Sequence, residues 1–116
     1  MLGISYKPEV KDIQLTPAEN IIEKLKQHGT KIKIYDPFFK SVNVFDIDTE
    51  NNIEQALTNV DSIVLVTAHK EFYDLKPSYI ASKIQMPVII DTKRIFDKDD
   101  AKKSKLVFRS LGTGKL

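Results

Sequence analysis

The chain has no cysteine, which excludes disulfides, thiolate metal sites and a cysteine nucleophile. It has no apolar run near the ~20 residues that a membrane-spanning helix needs. Lys7, Glu9, Lys11 and Asp12 interrupt the start, so a signal peptide is not expected in this stretch. The expectation is a cytoplasmic protein with no membrane partner. An excess of one charge is also missing: 18 basic residues stand against 16 acidic ones, for a net charge of +2 and a sequence pI of 8.7. Only Lys102, Lys103 and Lys105 cluster, and they read as a solvated helix end, not as a nucleic-acid-binding stripe. No G-x-G-x-x-G follows the first apolar run, where Gly3 stands alone, so the chain is not an independent NAD-binding domain. Metal ligands are absent as a pattern. His69 has no second histidine at ligand spacing, and His28, beside Gly29, reads as a helix cap.

What is present is ordinary globular composition, 41% hydrophobic and 29% charged over 116 residues, enough for one domain with one modest core. No repeat, low-complexity segment or second-domain boundary interrupts it. Short β-like runs alternate with amphipathic segments. Strands are predicted at 2–6, 31–35, 62–67, 88–90 and 106–108, with a short edge strand at 42–45. The run 62–67 is β-branched and nearly continuous in apolarity, as in a strand covered on both faces. Thr16 is a good N-cap, Pro17 suits the first helical position and Glu19 completes a capping box. Ala18, Ile21, Ile22 and Leu25 then recur at helical spacing until Gly29 stops the helix. Further helices are expected at 53–57, 77–84 and 99–103. Strands alternating with helices make βαβ units, so the fold class is α/β: a small Rossmann-like three-layer domain with a mainly parallel sheet. First strands of such sheets sit centrally, yet this one starts at Met1. The expectation is that the chain is a piece of a longer polypeptide.

In a parallel sheet the polar residues at strand C-termini share one rim, where ligands bind. Four such ends carry Tyr6-Lys7, Asp36, Thr67-Ala68-His69 and Asp91-Thr92-Lys93-Arg94. Lys7, Lys93 and Arg94 could together embrace a phosphate or pyrophosphate. Asp36, before Pro37, reads as a turn residue, and His69 is expected to be exposed at a strand-to-loop junction. Gly112-Thr113-Gly114-Lys115 looks like the end of a phosphate loop but has no helix after it, so it reads as a tail.

Nearly the whole chain resembles the C-terminal, UDP-binding domain of the UDP-glucose/GDP-mannose dehydrogenase family. The family pattern G-x-[AS]-[YF]-K-x-x-x-x-D-x-R-E-S-P-A is matched by Gly3, Ser5, Tyr6, Lys7, Asp12, Pro17 and Ala18. Lys33-Ile34-Tyr35-Asp36-Pro37 is similar to its [VI]-x-[VI]-Y-D-P. Thr67-Ala68-His69-Lys70-Glu71-Phe72 is similar to T-x-H-x-x-F, and Val88-Ile89-Ile90-Asp91-Thr92-Lys93 to V-[IV]-x-D-[TG]-[RK]. The histidine and the Asp-Thr-Lys form lean towards the branch that oxidises UDP-N-acetylmannosamine or UDP-N-acetylglucosamine.

The resemblance implies that residues 1–116 are one UDP-sugar-binding domain of an NAD-dependent 6-dehydrogenase, which takes a sugar C6 alcohol to a carboxylate. It implies contacts to the nucleotide sugar from Lys7, Tyr6, Lys93 and Arg94. NAD would be held by an N-terminal domain outside this chain, present in cis or in trans, and the full enzyme would be a homo-oligomer. The family's catalytic cysteine and dinucleotide fingerprint lie upstream, so no catalytic residue falls here and the chain alone should not oxidise a sugar. Gln14-Leu15-Thr16 replaces the family's R-E-S, removing an ion-pair partner for Asp12. Two other readings remain. One is an assembly module that has lost its ligand. The other is a receiver-like signalling domain, in which Asp36, Thr67 and Lys93 would echo the phosphoacceptor aspartate, threonine and lysine, although Tyr6-Lys7-Pro8 stands where that fold needs acidic metal ligands.

Overall fold

Along residues 62–66, Ile63 and Leu65 pack into one hydrophobic cluster and Val64 and Val66 into another. Side chains of period two feed two faces of a sheet, and here both faces are covered. A computed structural model describes residues 1–86, 88–104 and 107–110. In it β1 (Asn43–Val44) and β2 (Ile47–Asp48) form an antiparallel hairpin, while β3 (Ser62–Leu65), β4 (Val88–Asp91) and β5 (Val107–Ser110) form a parallel sheet in the order β3-β4-β5. The register runs Ser62↔Val88↔Val107 through Leu65↔Asp91↔Ser110. Residues 1–5 and 31–35 extend this sheet through parallel bridges from Leu2 to Leu65 and from Leu2 to Tyr35. Four backbone bonds lock them: Leu2 to the Val64 carbonyl (2.8 Å), Val66 to Leu2 (2.9 Å), Gly3 to Tyr35 (2.9 Å) and Tyr35 to Met1 (3.0 Å). The order across the sheet is therefore 31–35, 1–5, β3, β4, β5, with the winding direction reversing between residues 1–5 and β3.

The helices are α1 (Pro17–Gln27), α2 (Ile53–Leu57), α3 (Lys70–Tyr73), α4 (Pro77–Lys83) and α5 (Lys98–Lys103). On one face, Ala18 and Ile22 of α1 pack with Ile4, Ile34 and Val66. On the other, Leu57 of α2, Phe72 of α3 and Ile80 of α4 pack with Leu2, Tyr35, Leu65 and Ile89. Each fully buried Leu, Ile or Phe contributes about 1.5–3 kcal/mol relative to exposure. This is the three-layer α/β domain that the alternation of elements implied. Among the described residues no helix is long and apolar enough to cross a membrane.

The ends of α1 follow its sequence signals. The Thr16 hydroxyl accepts from the Ala18 N–H, and Gly29 (φ 77°) lets its own N–H reach Lys26 O at 3.0 Å and the Thr30 N–H reach Leu25 O at 3.0 Å. The expected capping box closes differently: the Thr16 N–H goes to the Ile13 carbonyl rather than to Glu19. The N-terminus of α4 borrows its cap, with Asp100 of α5 accepting from the Ser78 N–H at 2.8 Å. That bond holds the Asp100 carboxyl below its usual value.

Three strand expectations need correction. Residues 2–6 and 31–35 pair with their neighbours only around Leu2 and Tyr35, because Gly3 (φ 85°) interrupts the extended course. Residues 42–45 do not make a single edge strand; the chain doubles back at Phe45-Asp46 into the β1–β2 hairpin. The four-residue α3 is too short for any helical period to announce it. Leu106, Lys105 and the segment 112–115 lie outside the described residues.

The hairpin turn is strained. Phe45 (φ 54°) and Asp46 (φ 63°) both occupy the left-handed region, as a two-residue type I′ turn demands, where glycine and asparagine are the natural occupants. Asp46 is exposed, so Asp46→Gly relieves strain without disturbing the core. It should raise stability by about 0.5–1 kcal/mol in urea titration; a fall in midpoint would contradict the turn assignment.

Candidate nucleotide-binding rim

Two fully buried aspartates, each at the end of a strand-like segment, build the rim. Asp36 ends the segment 31–35. Its Oδ2 accepts from the Ile4 N–H (2.8 Å), the Ser5 N–H (3.1 Å), the Ser5 hydroxyl (2.9 Å) and His69 Nε2 (2.8 Å), and its Oδ1 accepts from the Phe38 N–H (2.8 Å). Burial alone would raise this carboxyl. The hydrogen bonds from His69, Ile4 and Phe38 outweigh it and hold Asp36 below the usual carboxylate value. Asp36 does make the expected turn, through Phe38, but it is also the hub joining the first two segments to the end of β3. Asp91 repeats the device at the end of β4: its Oδ1 accepts from the Lys93 (2.9 Å) and Arg94 (2.8 Å) N–H groups and its Oδ2 from the Phe96 N–H (2.9 Å).

These hubs fold two exposed loops outward from the same edge. After residues 1–5 come Tyr6 and Lys7, both exposed, with the Lys7 ammonium 5.7 Å from the Tyr6 ring centroid. The loop closes through the Tyr6 N–H on the Asp12 carbonyl (2.6 Å), and the Lys11 ammonium lies 6.0 Å from the Phe39 ring. The Asp12 carboxylate accepts from the Gln14 N–H at 2.9 Å, so with no arginine at position 14 it serves a local turn. After β4 come Lys93 and Arg94, also exposed, with Arg94 in the left-handed region at φ 58°. The rim thus carries Tyr6-Lys7 and Lys93-Arg94 on loops whose strands are separated by β3 alone, about 10 Å apart at two strand spacings. The gap between residues 1–5 and β3 is where the winding reverses, the crevice at which open α/β sheets take ligands.

His69 overturns its expected exposure: it is fully buried. Its ring lies 5.1 Å from that of Phe38 and 5.8 Å from that of Phe72. Nε2 meets Asp36, and Nδ1 lies 3.0 Å from the Glu9 amide nitrogen and 3.3 Å from Glu9 Oε2. Beside it the Tyr35 hydroxyl donates to Glu71 at 2.6 Å. Burial, then the hydrogen bond and charge of Glu71, push the Tyr35 hydroxyl well up, so it remains a donor. The sequence missed this polar core because its members are more than 30 residues apart; the one signal available was a polar residue at each strand end. The receiver-like reading fails on the same geometry, since a carboxylate buried under five donors offers no oxygen to a phosphoryl group. Among the described residues no group of three or more His, Asp or Glu is placed to hold a metal ion.

Known relatives share this sequence pattern and fold. The model of the UDP-glucose/GDP-mannose dehydrogenase family, UDP binding domain, matches residues 1–98. A UDP-N-acetyl-D-mannosamine dehydrogenase of Methanocaldococcus jannaschii is 30% identical over 99% of this chain and 27% of its own length. The UDP-glucose 6-dehydrogenase TuaD of Bacillus subtilis is 24% identical over 97% of this chain and 25% of its own. Among solved structures, that of a UDP-D-ManNAc dehydrogenase from Pyrococcus horikoshii superposes with a TM-score of 0.83 at 25% identity, over 99% of this chain and 25% of that one. The chain spans about a quarter of the length of these relatives. With its parallel sheet, its switch-point loops and a match that runs from the first residue to the N-terminus of α5, the chain belongs to the UDP-glucose/GDP-mannose dehydrogenase family, through that family's UDP binding domain.

Proposed function

We propose that this chain holds the UDP moiety of a UDP-sugar for an NAD-dependent 6-dehydrogenase, which oxidises the sugar's C6 alcohol to a carboxylate. The observation that carries the reading is the match of residues 1–98 to a UDP binding domain; the two exposed, cation-bearing loops at the rim support it. In this reading Lys7 and Lys93 neutralise the pyrophosphate, Arg94 assists, and Tyr6 steadies Lys7 at the loop's edge. The UDP-N-acetylmannosamine dehydrogenases among the relatives favour an N-acetylated sugar. NAD chemistry belongs elsewhere in the enzyme. A long loop separates residues 1–5 from α1, with no glycine after Gly3 to bring a pyrophosphate onto the helix N-terminus. The remaining domain, in cis or in trans, supplies the dinucleotide site and the reacting groups, and the assembled enzyme is a homo-oligomer.

Calorimetry with UDP tests the reading. Lys7→Ala should weaken UDP binding about 10–100-fold, the equivalent of one charge-assisted hydrogen bond of ~1.5–3 kcal/mol. Because Lys7 is exposed, its melting temperature should match the parent's. Unchanged affinity in Lys7→Ala would remove Lys7 from the site, and no heat with millimolar UDP would leave the chain as an assembly module instead.

A further inference from the structure

We infer that His69 is a positioning residue for the Lys7 loop, and that its protonation releases the loop, making nucleotide-sugar affinity fall with pH. The partners of the ring dictate one neutral tautomer. Asp36 Oδ2, 2.8 Å away, is an ionised acceptor, so Nε2 carries the proton. The Glu9 backbone N–H, 3.0 Å away, is a donor, so Nδ1 must present its lone pair. That bond ties the loop to the core midway along, two residues after Lys7. It also holds Glu9 in the left-handed region at φ 62°, a conformation unfavourable for a non-glycine residue.

A second arrangement is already within reach. A proton on Nδ1 would face the Glu9 N–H donor to donor and break the tie. Glu9 Oε2, however, lies 3.3 Å from Nδ1, and the imidazolium would then sit between two carboxylates, those of Glu9 and Asp36. Glu9 Oε2 now accepts the Lys70 N–H at 3.0 Å, so taking up His69 costs α3 part of its N-terminal anchor. The Glu9 peptide, freed from Nδ1, can leave the left-handed region and satisfy its N–H with water. The other charged residues carried by the elements that meet the ring are Lys70 and Glu71 on α3, the latter bonded to Tyr35, and Lys7 and Lys11 on the loop; the rings of Phe38 and Phe72 pack beside the imidazole. The element with two states is therefore the Glu9 peptide, and Lys7 moves with it.

Only the ligand arm of the test rests on the UDP-binding reading. In NMR spectra of the ligand-free chain, taken from about pH 8 to about pH 5, the His69 ring carbons and the amides of Lys7 and Glu9 should titrate with one shared midpoint. Amide shifts that ignore the His69 ring, or a ring that stays neutral until the chain unfolds, would overturn the inference whatever the ligand does. Two substitutions separate the ring's contacts. His69→Asn keeps an acceptor near the Nδ1 position and should leave the loop amides insensitive to pH. His69→Gln keeps a donor for Asp36 but not the acceptor, and should show the released loop at every pH. UDP-N-acetylglucosamine is the probe for affinity, because its pyrophosphate diester does not titrate in this range. Binding should weaken about fivefold across the midpoint and stay flat in His69→Asn. Flat binding in the parent while the amides titrate would refute the coupling to affinity. No binding by the parent at any pH, with the amides titrating, would refute the UDP reading and leave the loop release standing.

Discussion

Replacing Asp36 with asparagine should lower stability by about 3–5 kcal/mol, a large share of the 5–15 kcal/mol typical of a domain. Five donors converge on the two carboxylate oxygens: the N–H groups of Ile4, Ser5 and Phe38, the Ser5 hydroxyl and His69 Nε2. An amide offers one oxygen and one NH2. Whichever way it turns, a donor is pushed against donors in a fully buried site, and the cost is that of buried polar groups left unpaired. Urea unfolding at pH 7 should show a lower midpoint with an unchanged slope. The pH dependence gives an independent check. The native carboxyl is held below its unfolded value, so the unfolded chain binds the proton more readily. The stabilisation is complete above the unfolded value, near pH 4, and is lost as pH falls through the lower native value. The carboxyl's own contribution to the gap between parent and Asp36→Asn should therefore disappear only below about pH 4, as the native carboxyl is protonated. A gap below 1 kcal/mol at pH 7, or one that grows as the pH falls below about 4, would remove Asp36 from the centre of this network.

The same residue shows what could be learned from the sequence and what could not. The runs 62–67 and 88–90 were legible because β-branched residues without polar interruption leave a strand as the natural outcome. The α1 helix was legible because Thr16, Pro17 and Gly29 mark its ends through local chemistry. The candidate anion-binding residues, Tyr6-Lys7 and Lys93-Arg94, were legible as strand-end residues, since a parallel sheet places all such ends on one rim. The interior of that rim was not. A strand-end aspartate before proline has the same local pattern whether it caps a turn in water or anchors a buried network, and Asp36 does the second with partners 31–33 residues away in sequence. His69 looked exposed because it stands at a strand-to-loop junction, whereas its neighbours in space are Phe38 and Phe72. The hairpin turn Phe45-Asp46 was hidden because it lacks the glycine or asparagine that such turns ordinarily carry.

Gly3→Ala should cost about 3–5 kcal/mol, from backbone strain and overpacking together. Leu2 packs into one core cluster and Ile4 into the other, although residues two apart on a regular strand share a face. Gly3, at φ 85°, makes that change of face possible. A Cβ there would stand 2.5 Å from the Thr67 carbonyl oxygen and 2.7 Å from the Thr67 Cβ. Thr67 cannot retreat cheaply. Its hydroxyl donates to the Ser5 carbonyl at 2.6 Å, and the adjoining Val66 N–H bonds to the Leu2 carbonyl at 2.9 Å. Gly29→Ala is the control, because Gly29 shares the positive φ at 77° but has nothing within 4 Å of an added Cβ. It should lose only the strain component, about 1 kcal/mol, so the difference between the two variants isolates the contact with Thr67. Equal losses would mean that the close approach is relieved at no cost and that strain alone selects glycine at position 3. Unequal losses tie the site to the fold, because the backbone that Gly3 allows past Thr67 is the one that delivers Ile4 and Ser5 to Asp36 and sends Tyr6 and Lys7 out onto the rim.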